Sequence, residues 1–238
     1  MFHFRHFDLE HDNSTLKIGT DAVLLATVAD VLSSKRVLDV GCGCGVVAFC
    51  IAQRIASNNP EITGIDIDQA SIEECIINAN NFGLLPAYSF SFEKTSFQEF
   101  AAREHQHSFD LIISNPPFFH GDLKPSDDKR LRSKHGDGSL SFNEIVNCSD
   151  RLLDNNGRLA VILPAREADE FQEIAKNKFF CIRKTSVKPT VKKPIFRIIL
   201  EFSRNYSETE EHLFSIRDEA QKYTQGYLDL VHDYLFVK

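Results

Sequence analysis

The chain has 238 residues, 42% hydrophobic and 26% charged, with 27 Lys and Arg against 34 Asp and Glu for a formal net charge of −7. That balance supports a full hydrophobic core, excludes a disordered chain, and argues against a generic nucleic-acid coat. The longest apolar stretch, residues 21–31, is too short and too polar at its ends to span a bilayer, and Met1-Phe2-His3-Phe4-Arg5-His6-Phe7 lacks the pattern of a secretory signal, so a cytoplasmic location is expected.

In chain order, Lys17-Ile18-Gly19-Thr20-Asp21 opens a helix with Thr20 or Asp21 as its cap. Arg36-Val37-Leu38-Asp39-Val40 is a first strand ending at glycines, and residues 46–55 a helix. A second strand, residues 61–66, precedes a helix over 69–81 with Ile72, Ile76 and Ala79 at helical spacing and Gly83 as its stop. Residues 87–92 form a third strand, 97–103 a short helix and 109–114 a fourth strand, followed by a polar loop over 120–139. A helix over 142–153 ends at the turn Asn155-Asn156-Gly157, and residues 158–163 make a fifth strand. After a helix over 167–176, strands 179–188 and 195–203 join across Pro189 and Pro194, a connection short enough to favour an antiparallel hairpin. The alternation predicts an α/β fold, a mostly parallel seven-stranded sheet with helices on both faces.

The first strand feeds Gly41-Cys42-Gly43-Cys44-Gly45, where missing side chains allow a sharp turn and close approach of a ligand to the backbone. A dinucleotide fingerprint needs a third glycine where Val46 stands, which weighs against NAD or FAD. Asp66 ends the second strand, a position from which a carboxylate accepts hydrogen bonds from both hydroxyls of a ribose; Asp68 suits a helix cap. The six cysteines, at 42, 44, 50, 75, 148 and 181, include no Cys-x-x-Cys pair; reduced thiols and no metal site are expected. Between Lys176 and Arg197 the chain carries eight cations and no Asp or Glu, and Lys124, Lys129, Arg130, Arg132 and Lys134 form a second basic cluster. Each is a phosphate-facing patch or a solvated face.

The set Asp39, Gly41, Gly43, Gly45 and Asp66 resembles the S-adenosylmethionine pocket of Rossmann-like class I methyltransferases. Asn115-Pro116-Pro117-Phe118, at the end of the fourth strand, resembles the motif of amino-methyltransferases. There the Asn side-chain oxygen and the first Pro carbonyl accept the two N–H bonds of an amino group whose lone pair is delocalised, and so orient it for in-line attack. By the same resemblance Phe118 stacks on the flat target, while the two prolines fix the turn. Adenine, cytosine and glutamine amides all fit this chemistry.

With Phe4-Arg5-His6-Phe7, Lys17-Ile18-Gly19-Thr20-Asp21 and residues 223–237 added, nearly the whole chain resembles the bacterial tRNA1(Val) adenine-N6-methyltransferases. The resemblance implies one methyltransferase domain over residues 1–238, with residues 1–34 capping the cofactor and 35–238 forming the core. It implies a monomer or weak dimer acting on the adenosine 3′ of the anticodon in tRNA. It also implies Lys17, Gly19, Thr20 and Asp21 near the methionine end of S-adenosylmethionine and Asp66 on its ribose. Where such enzymes carry an Asp for the cofactor's adenine, this chain has Ser96, a weaker acceptor. The loop over 120–139, where RNA contacts including His120 and His135 are expected, is also distinct. The alternatives are another amino-methyltransferase, acting on rRNA, DNA or protein glutamine, or a catalytically silent S-adenosylmethionine-binding module.

Overall fold

The computed structural model describes residues 1–14, 17–82, 89–117 and 140–237. A short antiparallel ribbon, β1 (Phe2–His3) and β2 (Asp8–Leu9), precedes helix α1 (Thr20–Val28). The main sheet contains β3 (Arg36–Val40), β4 (Glu61–Asp66), β5 (Ser89–Lys94), β6 (Phe109–Ser114), β7 (Leu153–Pro164), β8 (Phe180–Thr190), β9 (Arg197–Ser203) and β10 (Glu210–Arg217). Between them run α2 (Val46–Arg54), α3 (Gln69–Asn81), α4 (Phe97–Arg103), α5 (Phe142–Leu152) and α6 (Ala165–Ala175), and α7 (Gln225–Val231) follows the last strand. The order across the sheet is β10-β8-β9-β7-β6-β3-β4-β5, and β9 alone runs against its neighbours.

The expected mostly parallel sheet and the antiparallel β8–β9 hairpin are both present, but among the described residues the sheet has eight strands rather than seven. The added strand, β10, pairs in parallel with β8 at the sheet edge. Its first half, Glu210-Glu211-His212-Leu213, is exposed, and only Phe214 and Ile216 pack against the core, so it lacks the alternation of a half-buried strand. The expected turn Asn155-Asn156-Gly157 lies inside β7. Pairing with β6 jumps from Phe109↔Leu153 to Leu111↔Arg158, so residues 154–157 bulge out and the strand resumes.

The strands bury both faces. Val37, Ile62, Leu111, Ile113, Ala160 and Ile162 pack with α1, α2 and α7, whereas Leu38, Ile112, Leu159 and Val161 pack with α4, α5 and α6. Helix α3 departs from its expected face. It buries Ser71, Ile72, Glu74, Cys75 and Asn78, and leaves Ile76 47% exposed. Helix starts follow local chemistry: Asp68 caps α3 through Ala70 N–H, and Ser96 with Glu99 and Ser141 with Glu144 form capping boxes on α4 and α5. At the start of α1, Gly19 takes the N-cap position with no side-chain cap, which corrects the expected Thr20 or Asp21. The Asp21 carboxylate instead accepts from Arg197 Nε at 2.8 Å.

Gly45 is the residue on which the turn into α2 depends. Its φ is +89°, and a Cβ there would lie 2.5 Å from the Phe49 ring and 3.2 Å from Cys75 Sγ. Gly45→Ala therefore combines left-handed strain with overpacking, and a denaturant titration is expected to show a loss of about 2–4 kcal/mol.

Candidate active site

Three neighbouring strands end level at one edge of the sheet, where Val40 pairs with both Ile65 and Ser114. Ser114, fully buried, donates from its hydroxyl to the Val40 carbonyl at 2.8 Å. The segments that leave β3, β4, β5 and β6 enclose a cavity of about 280 Å³. Gly41, Gly43, Asp66, Ser96, Asn115, Pro116 and Pro117 line it, as do Ile67, Phe97, Gln98 and Leu140, which the sequence motifs do not single out.

The glycine loop presents bare backbone to this space. Gly41 and Gly43 have φ of +72° and +55°, and a Cβ on either would meet nothing within 4 Å. Beneath the loop, the Cys75 thiol donates to the Gly43 carbonyl at 3.0 Å and lies 3.9 Å from Cys42 Sγ. Among the described residues no group of three or more His, Cys, Asp or Glu is arranged to hold a metal.

Two carboxylates flank the loop in different surroundings. Asp66 sits on the cavity wall, one oxygen accepting Gly43 N–H and the other Asp68 N–H, both at 2.9 Å. Each oxygen keeps a lone pair for a ligand, the arrangement that vicinal hydroxyls require. Asp39 is 1% exposed, lies behind the loop outside the cavity lining, and accepts Ala48 N–H at 3.1 Å. Burial pushes its pKa up to about 7 against the pull of the Ala48 amide, with the Asp66 charge adding to the rise.

Asn115 is half-buried and its side-chain oxygen is buried with no hydrogen-bond partner among the described residues. An orphaned acceptor in a cavity wall is costly unless something arrives to satisfy it. Pro116 is buried and Pro117 exposed. Phe118 lies outside the described residues, as do residues 120–139 with Lys124, Lys129, Arg130, Arg132, Lys134, His120 and His135, and also Gly83.

The remaining expected positions are not brought to this cavity. Lys17 donates from Nζ to the carbonyls of His11 and Asp12 at 2.9 and 2.6 Å, Gly19 and Gly45 cap helices, and Thr20 starts α1 beside the Asp21–Arg197 pair. Ser96 does line the cavity, with its hydroxyl accepting Glu99 N–H at 3.2 Å and donating to Glu99 Oε2 at 2.9 Å. The basic run from Lys176 to Arg197 is largely paired. Lys176 meets Glu173, Lys178 meets Asp150, Arg183 meets Glu201 and Glu210, Lys192 meets Glu219, and Arg197 meets Asp21.

Asp39 gives a pH test. Its folded pKa lies above the ordinary 3.8, so its contribution to stability is full below about 4 and is lost as pH rises to about 7. Asp39→Asn, which keeps an acceptor for Ala48, is expected to lose this part of the pH dependence. Denaturation of both proteins at pH 5 and pH 8 should show the variant gaining on the wild type at the higher pH.

The methyltransferase-domain family matches residues 32–221. A tRNA1(Val) (adenine(37)-N6)-methyltransferase from Flavobacterium johnsoniae is 37% identical, with 98% of each chain covered. One of the same description from Yersinia pestis is 32% identical over 98% of this chain and 92% of its own. Among solved structures, a predicted O-methyltransferase from Agrobacterium tumefaciens superposes with a TM-score of 0.66 at 17% identity, covering 90% of this chain and 96% of that one. A type I restriction-modification methyltransferase subunit from Streptococcus thermophilus superposes with a TM-score of 0.62 at 13% identity, over 93% of this chain and 53% of that one. These two likenesses speak to fold alone.

Proposed function

This chain belongs to the family of the tRNA1(Val) (adenine(37)-N6)-methyltransferases, and on that premise we propose that it methylates N6 of an adenine in tRNA, the adenosine 3′ of the anticodon. The methyl donor is S-adenosylmethionine, which supplies an electrophilic sulfonium methyl. The donor set fits it: the open glycine backbone at Gly41 and Gly43, and Asp66 with two lone pairs facing the same cavity. The observation that carries the reaction class is the buried Asn115 oxygen beside Pro116, which has no hydrogen-bond partner among the described residues.

An adenine amino group is planar and weakly nucleophilic, so what it needs from the enzyme is placement. Asn115 Oδ1 and the Pro116 carbonyl accept its two N–H bonds, and the proline pair holds those acceptors still; Phe118 stacks on the base. The base reaches them only when splayed from its neighbours, which costs less in an anticodon loop than in a duplex. Asp39, sealed behind the loop, is out of reach as a base, and the methylated amine releases its proton to solvent. Ser96 serves the adenine end from the cavity wall, whereas Lys17, Gly19, Thr20 and Asp21, outside the cavity lining, support the methionine end indirectly by fixing the segment that leads into α1, and Asp39 and Gly45 act through the shape of the loop. All 238 residues work as one catalytic unit in the cytoplasm, as a monomer or weak dimer. No helix among the described residues is long and apolar enough to cross a membrane.

Asn115→Ala is expected to keep S-adenosylmethionine binding by calorimetry while methylation of total tRNA, read with labelled donor and nucleoside mapping, falls at least about a hundredfold. Unchanged turnover removes the role given to Asn115, and label in rRNA, DNA or protein glutamine in place of tRNA redirects the substrate.

For the RNA, Lys184, Lys188 and Lys193 are the cations of the basic run with no ion-pair partner among the described residues. Lys184 is level with Ser114 across the sheet, so Lys188 lies at the same sheet edge as Asn115, three strands to the side (about 14 Å at ~4.8 Å per strand) and three residues further along (about 10 Å at ~3.3 Å per residue). That span suits the phosphates flanking a splayed base. Lys188→Glu with Lys193→Glu is expected to weaken tRNA binding and to flatten its salt dependence by about one to two phosphate contacts, with S-adenosylmethionine binding unchanged.

A further inference from the structure

Helix α3 turns a carboxylate and an amide inward while leaving Ile76 and Ile77 each 47% exposed. Glu74, 2% exposed, accepts Asn13 N–H at 2.6 Å, Ser14 N–H at 2.9 Å and the Ser14 hydroxyl. Burial pulls its pKa up, and the Ser14 hydroxyl, the two amides and the Lys17 charge outweigh that pull, so the carboxyl is held below its ordinary range. One turn further on, Asn78, 1% exposed, accepts Glu10 N–H at 2.7 Å and donates to the carbonyls of Glu10 and Cys44, both at 3.0 Å. Cys44 belongs to the glycine loop whose Gly41 and Gly43 line the cavity. Lys17 bonds back to His11 and Asp12 immediately before Gly19 caps α1.

Glu74 thus ties residues 13–14 to α3, and Asn78, one turn on, ties Glu10 to the Cys44 carbonyl in the loop of the cofactor cavity. Apolar packing would cover the same helix without the cost of desolvating a carboxylate. What charge-assisted bonds to successive amides add is a fixed placement of the segment.

We propose that Glu74 and Asn78 are positioning residues for S-adenosylmethionine, latching residues 10–14 onto α3 and coupling that latch through the Cys44 carbonyl to the glycine loop. Neither side chain lines the cavity. Asn78 acts on the loop directly and Glu74 through the segment it holds beside Asn78, and the inference rests on the reading that this cavity takes S-adenosylmethionine.

The test uses Glu74→Gln and Asn78→Asp, which keep side-chain volume, and Ser14→Ala, which opens the latch from the other partner. In each, S-adenosylmethionine Kd by calorimetry and its KM are expected to rise about tenfold, whereas kcat at saturating cofactor and the KM for tRNA stay within about twofold. Amide hydrogen exchange at residues 10–14 should quicken in the same variants. Fast exchange there with unchanged cofactor affinity overturns the proposal, and so does slow exchange retained in all three. A parallel loss of kcat and both KM values that follows the thermal midpoint also overturns it, since that reports general damage. If the wild type binds the cofactor and the variants match it, the latch alone fails. If the wild type does not bind it, the cofactor reading fails and takes the latch with it.

Discussion

The hydroxyl of Ser114, bonded to the Val40 carbonyl at the point where the ladder between β3 and β6 stops, holds level the two strand ends from which the site departs. Beyond it the strands diverge. One backbone enters the glycine loop, held to its other neighbour by Gly41 N–H and Cys42 N–H on the Ile65 carbonyl, and the other enters Asn115 and its prolines. The crevice between diverging strand ends is where open α/β sheets bind ligands. Here its two walls carry different chemistry, bare backbone with a carboxylate on one side and a neutral amide acceptor on the other. A donor and an acceptor of a methyl group can face each other there without any side chain having to move a proton.

The electrostatics point the same way. Asp66 is near enough for its charge to add to the rise that burial imposes on the Asp39 pKa, yet only Asp66 reaches the cavity. Asp66 has two backbone amides to hold it and Asp39 has one amide together with nearly complete burial. The first is fixed at the cavity wall, which suits the ribose contact proposed for it; the second braces the start of α2. A site built in this way stabilises by position and by acceptors rather than by general base catalysis, which suits an amine that becomes acidic only after it has been methylated.

The elements bounded by local signals were legible. Helices α3 and α4 and strand β6 keep their expected bounds, with Asp68 capping α3, and the motif residues Gly41, Gly43, Asp66 and Asn115 converge as their strand ends imply. The misreadings share one cause, partners distant in sequence. Spacing of Ile72, Ile76 and Ala79 predicted the buried face of α3, but Glu74 and Asn78 find partners 60 and 68 residues away that periodicity does not weigh. The basic run contains no acidic residue of its own, and its carboxylate partners, such as Asp150, Glu201 and Asp21, come from other elements. Strand β10 was hidden for a similar reason: Glu210 reads as solvent-facing charge until Arg183 of β8 is set beside it.

Ser96 shows how a departure from the family pattern can keep the chemistry while changing its strength. A carboxylate at that position would be an acceptor by charge. The Ser96 hydroxyl is an acceptor by commitment, because its proton goes to Glu99 Oε2 and one lone pair receives Glu99 N–H. The lone pair that remains can only accept, and the amino group of an adenine can only donate. The capping box that starts α4 therefore does more than satisfy a helix terminus: it fixes the hydroxyl's polarity in the direction the proposed cofactor requires. Beside it Phe97 and Ile67 offer apolar surface to a flat ring. In the proposed binding mode, the adenine end of the cavity relies on contact and one neutral hydrogen bond, and the charged interaction with the cofactor is left to Asp66 at the ribose.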